Sequence, residues 1–88
     1  MFGMKANIDI RNILFLARRL AAHRNNSLTT VSLRAAGQGL YFSRLEAGQI
    51  GLTFARLDKV MNWFSENWPE ELDWPKSIPR PSAKKDAA

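Results

Sequence analysis

The chain has no cysteine and only one histidine among its 88 residues. Without cysteine there is no disulfide scaffold, no thiol nucleophile and no thiolate metal site. His23 stands alone near the end of a predicted helix, so a histidine-based metal set or acid–base pair has no second member. No glycine-rich phosphate loop occurs, and paired carboxylates occur only in the proline-rich end. These absences lead to the expectation of a protein that is not an enzyme, with no catalytic or metal-binding residues and no cofactor. Long apolar runs are missing too. The longest, "ILFLA" at 13–17, falls far short of the ~20 residues that span a bilayer. The opening "MFGMKANIDI" has one lysine and a broken apolar run, so it reads as neither a signal peptide nor a membrane span. A cytoplasmic protein without membrane contact is expected.

Acidic residues are also scarce where the chain should fold. Residues 10–64 hold eight basic side chains against two acidic ones (Glu46 and Asp58), a balance of +6, while residues 65–88 hold four basic against five acidic. The positive charge therefore belongs to the body and not to a tail, which is the electrostatic footprint of a polyanion binder.

No stretch keeps strand alternation, whereas helical periodicity is clear. Ile10, Ile13, Leu14, Ala17 and Leu20 make one apolar stripe over 10–24, with Asn7 or Asp9 as its expected cap. "NNS" at 25–27 breaks it. Ser27 is an N-cap residue for a short second helix ending near Ala35 or Ala36. "GQG" at 37–39 breaks the pattern again, and a third helix follows from about Leu40 to Ala47, with Gly48 as terminator. Thr53 can cap a fourth helix, in which Phe54, Leu57, Val60, Met61 and Phe64 form a core stripe.

The end changes character. Residues 65–88 contain all four prolines and two of the three tryptophans. "NWPEEL" can form one turn, with Pro69 at its start. From Lys76 on, the composition predicts a disordered tail. No internal repeat is expected. The chain thus reads as an all-α, compact helical bundle of four to five helices with a central helix-turn-helix and a Pro/Trp-rich C-terminal extension. Its divisions are an N-terminal arm (1–9), the helical domain (10–64), an extension packed on the core or a dimer interface (65–75) and the tail (76–88). Trp63, Trp68 and Trp74 close the core, or some of them form a dimer surface, or both, tryptophan being common in interface hot spots.

Two short helices joined by a tight turn within a helical bundle are a helix-turn-helix candidate. "SLTTVSLRAAGQGLYFSRLEAGQIGLTFARLDKVMNWF", residues 27–64, resembles the DNA-binding domain of phage-repressor (Cro/cI-type, XRE) helix-turn-helix proteins. The most specific part is "SRLEAGQIGLTFARLDKV", residues 43–60; with the first helix the resemblance covers about 10–64. Placed without gaps, Ser27 is the cap of helix 2, Val31 its core position and Ser32 the small residue facing helix 3. Phe42 and Leu45 are the core positions of helix 3, and Glu46 and Gly48 match directly. Ala36 stands where glycine is usual, Leu28 where glutamine is usual, and Leu33 falls on an exposed position. Sliding helix 2 by one instead makes Gly37 the turn glycine, buries Leu33 and puts Arg34 in a small-residue site.

In such proteins the start of helix 3 enters the major groove while helices 2 and 4 meet phosphates. The resemblance implies base reading by Gln38, Gly39, Leu40, Tyr41, Ser43 and Arg44. Gln38 suits adenine, Arg44 suits guanine, and Leu40 or Tyr41 suits a thymine methyl, with the edge of the core as the other place for Tyr41. It implies phosphate contacts from Ser27, Thr29, Thr30, Gln49, Thr53 and Arg56. Glu46 is expected to pair with Arg18 or Arg19, and the acidic run Glu66, Glu70, Glu71 and Asp73 to face away from DNA.

Two functions follow. The first is a transcriptional regulator, a repressor or autoregulator of the kind found in mobile elements. It would bind a palindromic operator on double-stranded DNA as a homodimer, with contact to RNA polymerase where it activates and no small-molecule ligand. The second is a protein-binding module on the same fold, an antiactivator or antitoxin, with Leu40 and Tyr41 facing its partner.

Overall fold

The computed structural model describes residues 3–81. They form four helices in the order α1 (Gly3–Arg24), α2 (Leu28–Ala36), α3 (Tyr41–Glu46) and α4 (Phe54–Asn67), with no strand among the described residues. The all-α bundle is therefore present, with four helices.

Helix α1 starts well before Asn7 and Asp9, which lie inside it and do not cap it. Met4, Lys5 and Ala6 are good helix formers with no breaker after Gly3, so propensity carries the helix outward. Expected arm residues 3–9 are thus helix, while Met1 and Phe2 lie outside the described residues. At the other end Asn25 takes a left-handed φ of 61°. The Asn25 and Asn26 N–H groups donate to the Ala22 and Ala21 carbonyls at 3.2 and 2.8 Å. This double bond pattern closes a helix around one left-handed residue, a role asparagine can fill.

Ser27 caps α2, its Oγ accepting from the Thr30 N–H at 3.1 Å, and Thr53 caps α4 by accepting from the Arg56 N–H at 3.1 Å. Gly48, at φ 77°, closes α3: its N–H reaches Leu45 and that of Gln49 reaches Arg44.

The core is one cluster joining all four helices. Ile13, Leu16 and Leu20 of α1, Phe42 of α3, and Val60 and Phe64 of α4 are fully buried, and Val31, Ala35 and Leu45 nearly so. One member of the α4 stripe departs from expectation. Phe54 is 78% exposed. It is the first residue of α4, and helical side chains lean toward the N-terminus, so Phe54 projects past the packed part of its helix.

Residues 68–81 fold back on this body. Trp68 is 7% exposed and Ile78 4%. The segment Lys76–Pro81, expected to be tail, is therefore part of the folded unit; 82–88 lie outside the described residues. A repeat also appears that was not expected. "WPEEL" (68–72) and "WPKSI" (74–78) adopt the same arrangement. The Trp68 Nε1–H donates to the Leu72 carbonyl at 2.7 Å and the Trp74 Nε1–H to that of Ile78 at 2.8 Å. In each unit the apolar residue's N–H returns to the proline carbonyl, Leu72 to Pro69 at 3.1 Å and Ile78 to Pro75 at 3.2 Å. The indole thus bridges a proline turn and presses an aliphatic side chain inward.

Candidate nucleic-acid interface

The α2–α3 unit is set by Ser32. Its hydroxyl donates to the Gln38 carbonyl at 2.6 Å and accepts from the Phe42 N–H at 3.1 Å. One small buried side chain thereby fixes both the turn and the start of α3 against α2. Gly37 ends α2 at φ 80°, its N–H bonded to the Leu33 carbonyl at 2.9 Å. The helix 2 register combines the two readings left open by the sequence. Ser32, Ala35 and Ala36 are buried and Leu33 is 56% exposed, as in the ungapped placement. The left-handed residue is nevertheless Gly37 and not Ala36, because α2 continues one residue further. A side chain at Gly39 would bring its Cβ to 3.0 Å from Thr29 Cγ2. The glycine thus lets the turn lie against the first turn of α2.

Beyond this frame the turn and α3 present an open strip. Gln38, Leu40, Ser43 and Arg44 are all exposed, and Gly39 is half-buried between them. Leu40, at 54% exposure, is the one large apolar side chain in the strip. Ser27, Thr29, Gln49 and Thr53 are exposed around it, and Thr30 is half-buried with its hydroxyl 3.1 Å from Ser27 Oγ. The first N–H groups of α2 and α4 have no partner within their own helices.

Two residues expected in this surface belong to its support. Tyr41 is only 5% exposed, so it is not available to read a base. The Arg56 guanidinium lies 5.1 Å from its ring centroid and donates from Nη1 to the Ala36 carbonyl at 3.0 Å. Arg56 therefore ties α4 to the end of α2 instead of pointing at phosphate. Burial of Tyr41 raises its phenol above the ordinary value of 10.0, and the Arg56 charge opposes this more weakly.

Glu46 pairs with α1 as expected, both carboxylate oxygens lying 2.7 Å from Arg18 Nη2. Both side chains are about half exposed, so the pair contributes no more than about 1 kcal/mol. The tryptophans close the core. Ring centroids run from Phe42 to Phe64 at 6.1 Å, from Phe64 to Trp68 at 6.3 Å and from Trp68 to Trp74 at 5.1 Å. Arg80 stacks over Trp74 at 4.8 Å and donates to the Ser65 carbonyl at 2.8 Å. Trp68 is buried and Trp74 half-buried in these intrachain contacts; Trp63 is half-buried, edge-on to Phe64.

No helix among the described residues is long and apolar enough to cross a membrane. Compared with known protein families, curated proteins and solved structures, the chain finds no match.

Proposed function

We propose that the chain is a sequence-specific DNA-binding regulator of transcription, with α3 entering the major groove. The observation that carries this reading is the exposed strip Gln38–Leu40–Ser43–Arg44, held on a helix-turn-helix by the two bonds of Ser32. An amide, an aliphatic group, a hydroxyl and a guanidinium side by side suit a mixed base-edge pattern. The capped, exposed helix starts at Ser27 and Thr53 support phosphate contacts, since anions bind at such ends. The body's +6 charge supplies the long-range attraction. A homodimer would place two recognition helices about 34 Å apart on a palindromic operator. Repression follows from promoter occupancy, activation from contact with RNA polymerase. In this role the chain works by binding in the cytoplasm, without catalysis.

In vitro selection of bound DNA, followed by footprinting, tests the proposal. A selected palindrome protected by two protomers is expected, and no enrichment above random sequence overturns it. Arg44→Ala should cost about 1–3 kcal/mol and relax preference at one base position. A retained affinity and preference would remove Arg44 from the reading set.

A second reading rests on the exposure of Leu33, Leu40 and Phe54, at 56%, 54% and 78%. Exposed apolar side chains on α2, at the start of α3 and at the start of α4 suit a protein partner, as in an antitoxin or antiactivator. Leu40→Ser separates the two. It should change base preference at one position under the first reading and abolish partner binding under the second.

A further inference from the structure

An open groove of about 1360 Å³ runs between α1, the loop after α3 and Leu72. Its volume exceeds the ~300–1,000 Å³ of small-molecule sites. Leu14, Ile50 and Leu52 line the apolar floor, and Arg11, Arg18, Arg19 and His23 form a basic rim. Phe15 also lines it, at 50% exposure, and Ile8, one heptad earlier on the same helix face, is 62% exposed.

The structure already shows what this rim meets. At one end the chain's own Glu71 brings Oε2 to 3.3 Å from His23 Nε2, and the next residue, Leu72, lines the groove. Opposite, Glu46 meets Arg18. Arg11 and Arg19 have no acidic partner among the described residues. A leucine therefore lines one end of the groove with an acid paired to its basic rim beside it, and Arg11 and Arg19 extend the same chemistry along the groove.

We propose that this groove docks an acidic, leucine-bearing amphipathic segment of a partner protein. Its leucines lie on Leu14, Ile50 and Leu52, and its carboxylates meet Arg11 and Arg19, the helix-in-groove mode of recognition. Charge complementarity selects this occupant over a second copy. Two copies packed α1 to α1 about a two-fold axis would set Arg11, Arg18 and Arg19 against the same arginines, a costly like-charge contact. It also selects it over DNA, whose phosphates would answer the arginines but leave Phe15 and Ile8 without apolar burial. The groove is separate from the α3 strip, so either proposal can fail without the other.

The probe is a fluorescein-labelled peptide of about 16 residues, between four and five helical turns. It carries leucines at i, i+3, i+4 and i+7 and glutamates elsewhere. Controls replace glutamate by lysine, or keep the composition and scatter the leucines. Saturable one-to-one binding of the first peptide alone is expected. Amide shifts should gather on Arg11–Arg19 and Ile50–Leu52 and leave Gln38–Arg44 unmoved. Phe15→Ala and Arg19→Glu should each weaken binding by about tenfold or more. Both side chains are exposed, so the variants keep the core, and Arg19→Lys should retain binding. Equal binding of either control, shifts centred on Gln38–Arg44, or unchanged affinity of both variants overturns the proposal. So does a DNA duplex that moves the α1 signals, or a free dimer that Phe15→Ala dissociates.

Discussion

Ser32 has no exposed surface, and its hydroxyl serves two backbone groups at once. In Ser32→Ala the Gln38 carbonyl and the buried Phe42 N–H lose their partner, so a cost of about 1–3 kcal/mol is expected. Urea unfolding should show it as a lower midpoint at unchanged slope; an unchanged midpoint would deny Ser32 its role in setting α3. Tyr41 permits a cleaner measurement, because it is the only tyrosine in the chain. Its folded phenol ionises above the ordinary 10.0, chiefly through burial. The unfolded chain therefore releases its proton first as pH rises. Stability is fully present below about pH 10 and falls as pH climbs through the folded value. Tyrosinate absorbance should titrate with a midpoint above 10 in folded protein, and Tyr41→Phe should flatten this part of the alkaline loss. At this scale the sequence showed Ser32, Phe42 and Leu45, since each sits at a fixed offset within the motif. It left Tyr41 open between the core edge and a base contact, and it did not show the role of Arg56. Leu40, Tyr41 and Phe42 are consecutive apolar residues at the start of a six-residue helix, too short for periodicity to say which one turns inward.

Helices α2 and α4 were legible because capping residues and breakers bracket them, and α1 because its stripe is long. The C-terminal segment was misread in part. Proline, lysine, serine and alanine after Trp74 resemble disordered composition, yet Trp-Pro-x-x-Leu/Ile occurs twice, six residues apart. That spacing was the available signal. Each unit depends on one indole N–H reaching a carbonyl four residues on, a contact that neither helical nor strand periodicity registers. The repeat makes a definite claim about Ile78, which is 4% exposed. If 74–78 is a structural element, Ile78→Ala should lose about 2–5 kcal/mol, the range for buried large-to-alanine changes. Thermal unfolding by circular dichroism reads this directly, with Lys76→Ala as an exposed control expected to stay within about 0.5 kcal/mol. Equal melting temperatures for the two variants would return the segment to a tail.

Across the whole molecule, charge is separated by position. The acidic side chains Glu70, Glu71 and Asp73 follow the C-terminal end of α4, while Thr53 and the α3 strip lie toward the other end of that helix. With 14 residues in α4, the two ends stand about 20 Å apart, about two and a half Debye lengths at physiological salt. The acidic end therefore does little to repel phosphates at the reading surface, and the cations of 10–64 act almost unopposed. This gives the DNA reading a quantitative form. A dimer meeting about six phosphates should show log affinity falling against log salt with a slope near −5, a loss of about 10³-fold between 50 and 200 mM. Arg44→Ala should relax base preference more than it alters that slope if Arg44 sits on a base edge. It should lower the slope by about two, one for each protomer, uniformly across sequences, if it sits on a phosphate. Binding through apolar Leu33, Leu40 and Phe54 would instead be nearly flat in salt. The slope measured on the selected duplex thus assigns the α3 face to DNA when it is steep and to a protein partner when it is flat.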